Sequence, residues 1–211
     1  MENNNKITNF FKFIENKRGY KTPLQYKLIF EPETITDEDL NIEGDLDLTN
    51  SKLQTLPNNL NVSGNLYLFN SNVETLGKNT TVGNDLDLSK SKVKIIHDNL
   101  KVGKFLFVFD SNLEEIGNNV SVGATLDLRS TKIRKIGNNL TIADGGDLVL
   151  FNTDIQELPN NLTVTGDLNM MNTLIKSLPE DINVGGDIYI GERMNIQIPN
   201  NLNIGGKFLK I

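Results

Sequence analysis

The sequence predicts a β-rich repeat solenoid of about eight to nine coils with a parallel sheet, preceded by a small helical N-terminal cap, and three observations predict it. An Asn stands before the first apolar residue of the unit at Asn59, Asn79, Asn99, Asn119, Asn139, Asn161 and Asn201, with Asp39 and Asp181 at the same phase. The spacing is twenty residues, apart from one step of twenty-two between Asn139 and Asn161. Aliphatic columns keep that period, and an L-x-L pair in each unit alternates with outward residues, as a strand requires. A fixed period in the twenties marks coils that bury their apolar sides by stacking on one another.

Residues 1–36 do not fit the repeat, and residues 37–211 do. In the first segment Ile7, Phe10, Phe11 and Ile14 fall at helical spacing, Gly19 is a stop signal, and Thr22-Pro23 marks a turn. Leu24–Phe30 fits a second short helix or a strand. The segment is expected to cap the apolar face that a first coil exposes.

From Leu40 the columns are regular: Val62, Val82, Val102 and Val122 hold one position, Leu66, Leu86, Leu106 and Leu126 another, and Leu68, Leu88, Val108 and Leu128 the next inward one. Two further columns pass through Leu53, Val73, Val93 and Leu113, and through Leu56, Leu76, Ile96 and Ile198. About six buried aliphatics per coil, at about 1.5–3 kcal/mol each, suffice to hold the stack. Glycines after the Val column, such as Gly83, Gly103 and Gly123, suit a bend that a Cβ would obstruct. Pro57, Gly77, Gly117 and Pro159 form the opposite corner, where the nearby Asn is expected to pair with local backbone. The two extra residues near Ala143–Gly146 are expected to bulge. The last unit weakens, with Arg193 and Asn195 in columns elsewhere held by hydroxyl and apolar residues.

The unit L-x-L-x-x-[ST]-x-[ILV]-x-x-[LI]-[PG]-x-N-[LV] resembles leucine-rich repeats, closest to the short twenty-residue variety of bacterial and viral proteins, over about residues 37–211. The resemblance implies binding in general and no reaction. Where that family carries a laddering Asn, this chain has Ser51, Ser71, Ser91, Ser111, Thr131, Thr153 and Thr173, hydroxyls that can join a ladder with fewer donors and acceptors. A β-helix-like variant fits the same columns.

The outward positions of the sheet carry the functional signal. Seven of the eight Phe and Tyr beyond residue 36 fall there: Tyr67, Phe69, Phe105, Phe107, Phe109, Phe151 and Tyr189. Together with Met171, Asp87 and Asp127 they form the candidate partner-binding set, since clustered exposed aromatics mark interfaces. Asp147, Asp167 and Asp187 would stack on successive coils, and because each follows Gly they are expected to cap their own turns.

The net charge is −6, and residues 1–36 hold six Lys/Arg against four Glu, so the repeats carry −8. An acidic array disfavours direct nucleic-acid binding. No apolar run of membrane-spanning length and no signal peptide is evident, which points to a cytoplasmic protein without membrane association. No cofactor or metal is expected, with no Cys, no calcium-loop spacing and the single His97 in a corner. Catalytic motifs are absent from the sequence, and Asp85/Asp87 sit on an open sheet with nothing to raise a pKa. The expected function is noncatalytic recognition of a protein partner, as scaffold, adaptor or inhibitor. Two alternatives share the same features: an acidic mimic of nucleic acid that inhibits a host enzyme, and a structural module that self-associates through its C-terminal edge.

Overall fold

A computed structural model describes residues 9–11, 13, 17 and 21–211. The chain divides into two compact units, Met1–Asn41 and Ile42–Ile211.

In the first unit Asn9, Phe10, Phe11, Phe13 and Lys17 are helical. Ile7, Ile14 and the stop at Gly19 lie outside the described residues. Leu24–Phe30 is a helix, α1, which settles the alternative that the sequence leaves open. Pro23 fixes its own φ at −57° and its carbonyl accepts the N–H groups of Tyr26 and Lys27, so the chain enters the first turn preorganised. Leu24 and Tyr26 are buried, and the Tyr26 ring lies 4.7 Å from Phe11 and 4.8 Å from Phe30. A 3₁₀ turn over Pro32–Thr34 follows. Lys27 and Asp39 form a largely buried ion pair at 2.9 Å, and the same carboxylate accepts the Thr36 N–H.

The second unit is a parallel β-solenoid. Each coil contributes one strand to a sheet through the Val column (Asn61–Val62, Thr81–Val82, Lys101–Val102 and onward) and one to a sheet through the L-x-L pair (Leu66–Tyr67, Leu86–Asp87, Leu106–Phe107 and onward). Both sheets have nine strands in chain order, and adjacent strands pair in parallel one repeat apart, as in Leu86↔Leu106↔Leu126. A third sheet of four strands, Thr75–Leu76, Ile95–Ile96, Glu115–Ile116 and Lys135–Ile136, closes another side. The sequence suggests a single sheet. The corner at Ser63–Asn65 separates Val62 from Leu66 and puts them on different sheets, which the period alone does not reveal.

The expected aliphatic columns form the core: Leu66, Leu86, Leu106 and Leu126 have no exposed surface, nor do Val73, Val93, Leu113 and Ile133. Two members of those columns fall short: Leu53 is half-buried, and Ile198, in the weakened last unit, is 48% exposed. Arg193 and Asn195 are exposed there too, as their polarity requires.

Polar ladders tie coil to coil. The phase-marking Asn59, Asn79, Asn99, Asn119, Asn139 and Asn161 all have φ between 54° and 64°, the left-handed region that Asn tolerates better than most residues. Their amides do not pair with local backbone as expected. From Asn79 to Asn161 each Nδ2 donates to the Oδ1 of the preceding coil's Asn, at 2.8–3.3 Å, because equal φ along the column aligns the side chains one rung apart. The hydroxyl column, by contrast, makes no such ladder. Thr131, Thr153 and Thr173 donate to carbonyls three residues back, while Ser91 and Ser111 accept N–H groups two residues on, all within one coil.

The Val-column glycines work by proximity. A Cβ on Gly103 would lie 1.9 Å from the Gly83 carbonyl oxygen, and one on Gly123 equally close to that of Gly103. The two extra residues form a turn as expected, with the Gly146 N–H donating to Ala143 and the Gly145 N–H to Thr165 Oγ1.

Candidate binding face

The outer face of the L-x-L sheet follows from strand alternation: inward Leu66, Leu68, Leu86, Leu88, Leu106 and Val108 are fully buried, and the residues between them point away from the core. In register, the central outward column runs Asp47, Tyr67, Asp87, Phe107, Asp127, Val149, Asn169, Tyr189. Acidic and aromatic residues alternate through its first five positions, so like charges are two rungs apart, about 9.6 Å at a rung of about 4.8 Å.

All ten candidate residues occupy this face. Phe105 and Phe151 are 39% and 40% exposed; Tyr67, Phe69, Asp87, Phe107, Phe109, Met171 and Tyr189 are half-buried by their neighbours, and Asp127 is buried. Phe105 and Phe107 stack nearly parallel at 5.5 Å between ring centres, and Phe109 meets Phe107 edge-on at 6.5 Å. With Tyr67, Phe69 and Asp87 on the preceding coils they make one continuous patch. Phe151 and Met171 sit on neighbouring coils further along, where the Asn152 N–H donates to the Met171 carbonyl. Tyr189 is a coil further still, its hydroxyl donating to Asp187 Oδ2 at 3.3 Å.

The aspartates divide by column. Asp147, Asp167 and Asp187 do not cap their own turns: each Oδ1 accepts the backbone N–H of the residue one coil later, at Asp167, Asp187 and Lys207, over 2.7–2.8 Å. Asp45 and Asp85 do the same for Asn65 and Phe105. A carboxylate held against the next coil's N–H has its charge compensated locally, so this stack serves the fold. Local caps occur two residues later, where Asp47, Asp87 and Asp127 accept the N–H groups of Thr49, Ser89 and Arg129.

Electrostatics mark the patch as negative. Burial raises the Tyr67 phenol above its ordinary pKa, and the carboxylates of Asp45, Asp85, Asp47 and Asp87 raise it further. Asp127 is also raised, chiefly by burial, against the opposing hydrogen bond and charge of Arg129. Two cations that candidate selection by exposed aromatics misses sit on the rings: Lys90 Nζ is 5.6 Å from the centre of Phe69, and the Arg129 guanidinium 5.1 Å from that of Phe109. Strand alternation puts Arg129, two residues after Asp127, on the same face; it does not place Lys90, which belongs to a left-handed position beyond the strand, at φ 56°.

His97 stands in the corner column between Gly77 and Gly117, half-buried and away from this face. Among the described residues no helix is long and apolar enough to cross a membrane. No protein-family model, curated protein or solved structure matches this chain.

Proposed function

We propose that the protein is a noncatalytic binding solenoid, leucine-rich-repeat-like in its repeat unit, that recognises a protein partner through the aromatic and acidic face of its L-x-L sheet. One observation carries this reading: seven aromatics of the solenoid lie on the outer face of one sheet, while the core beneath is built from aliphatic residues. A core that needed aromatics would hold them inside. Large rings left half-exposed on a rigid sheet are the residues most often found at the centre of protein interfaces. The surrounding carboxylates favour a basic partner surface and speed its approach.

The test is affinity capture from the source cell's lysate with the wild type beside Phe69/Phe107/Phe109→Ala, the variant's fold being checked by circular dichroism. A partner retained by the wild type and lost by the folded variant is the expected result. Identical partner lists would remove the basis for the reading.

A further inference from the structure

The repeat places one outward constellation twice. Moving two coils back, by forty residues, carries Asp127, Arg129 and Phe109 onto Asp87, Ser89 and Phe69. At the later position the three side chains make a closed set. Asp127 Oδ1 accepts the Arg129 N–H at 3.1 Å, its Oδ2 pairs with the Arg129 guanidinium at 3.0 Å, and that guanidinium lies 5.1 Å from the Phe109 ring centre. At the earlier position the backbone half is the same, with Asp87 Oδ1 accepting the Ser89 N–H at 2.8 Å. The guanidinium has no counterpart, because Ser89 ends at a hydroxyl.

Three features of the earlier position show what is left over. Among the described residues Asp87 makes no ion pair. Ser89 is completely buried, and its Oγ has no hydrogen-bond partner. The Phe69 ring attracts a cation from elsewhere in the chain, Lys90, whose ammonium comes to 5.6 Å yet forms no salt bridge with Asp87. Tyr67 and Phe107 flank Asp87 in register on the adjoining coils, so the carboxylate stands between two rings.

We infer that the Asp87–Phe69 position receives the guanidinium of an arginine on a partner protein, in the arrangement that Arg129 makes between Asp127 and Phe109. This rests on the protein-binding reading above and names the chemistry of its central contact. Arginine fits better than lysine because its planar head donates to a carboxylate and stacks on a ring at once, whereas an ammonium is a strongly hydrated point charge. The negative surroundings of Tyr67 favour the same guest. Lys90 is a weak occupant of the ring face that the arginine displaces.

The probe is a capped Gly-Arg-Gly peptide, titrated into the full chain and followed by NMR at the Phe69 ring and the Asp87 amide, beside the same peptide with citrulline, arginine's neutral isostere. Saturable shifts at these groups with arginine and none with citrulline are expected. Asp87→Asn should weaken the response about tenfold, the loss typical of one charge-assisted hydrogen bond. Ser89→Arg, in the fraction that circular dichroism shows to be folded, should abolish it by filling the position from within. Lys90→Ala should strengthen it about twofold to fivefold, as removal of a weak competitor. Equal shifts with citrulline, no saturable shift, or full binding by folded Ser89→Arg overturns the proposal. In lysate capture, a partner lost by Phe69/Phe107/Phe109→Ala but kept by both Asp87→Asn and Ser89→Arg refutes the arginine receptor alone. A partner kept by all variants removes the binding face as well.

Discussion

Substituting Gly103 by Ala tests whether the coils are held at a separation that only glycine permits. The added Cβ would meet the Gly83 carbonyl oxygen at 1.9 Å and its carbonyl carbon at 2.8 Å, both backbone atoms with no rotamer to yield. Restoring an ordinary carbon–oxygen contact of about 3.3 Å requires a displacement of roughly 1.4 Å. Two backbone hydrogen bonds span that junction, from the Gly103 N–H to Val82 at 2.8 Å and from the Lys104 N–H to Asn84 at 3.0 Å. Such a displacement takes both beyond hydrogen-bonding range. At about 1–3 kcal/mol for each of the two bonds lost, the substitution should cost about 2–6 kcal/mol. Urea unfolding followed by circular dichroism measures it, with two controls. Gly191→Ala meets nothing closer than 3.8 Å and should stay within about 0.5 kcal/mol of wild type. Gly44→Ala has open space but a φ of +85°, and should lose about 1 kcal/mol through backbone strain alone. If Gly103→Ala unfolds at the same urea concentration as Gly191→Ala, the close-stacking explanation is wrong.

Asn99 combines a φ of 64° with ladder bonds to Asn79 and Asn119, so Asn99→Gly should cost up to about 1 kcal/mol and Asn99→Ala about 1 kcal/mol more, measured by the same unfolding; equal losses would refute the separation of strain from ladder. Leu106→Ala should lose about 2–5 kcal/mol from the core, whereas Phe107→Ala should lose about 1 kcal/mol or less while abolishing partner binding; matching stability losses would place Phe107 in the core. Burial raises the folded-state pKa of Asp127, so its contribution to stability grows as pH falls from the raised value towards the ordinary carboxylate value. Relative to Asp127→Asn, the wild type should therefore gain stability across that window. Asp47 is lowered by the N–H and hydroxyl of Thr49, so its contribution is present above the ordinary value and is lost as pH falls through the lowered one. Unfolding curves at several pH values for Asp127→Asn and Asp47→Asn should show opposite signs, and trends of the same sign would refute the assignment.

Much of this protein is determined by the sequence itself. A twenty-residue period with aliphatic columns leaves stacking as the way to bury them, and strand alternation then assigns Tyr67, Phe69, Phe105, Phe107 and Phe109 to the outside. Those assignments depend only on local geometry and burial, which a repeated sequence states again in every coil. The tertiary structure decided what depends on the distance between coils. It turned the Val column into its own sheet, joined Asn79 to Asn99 rather than to nearby backbone, and aimed Asp147 and Asp167 at the following coil. It also brought Arg129 over Phe109 and left Asp87 and Phe69 without the corresponding guanidinium. Residues twenty apart in the chain lie one rung apart in space, and hydrogen bonds and cation–π contacts fall off within a few ångströms. Which of them form is therefore set by how the coils stack, and no single coil's sequence contains that information.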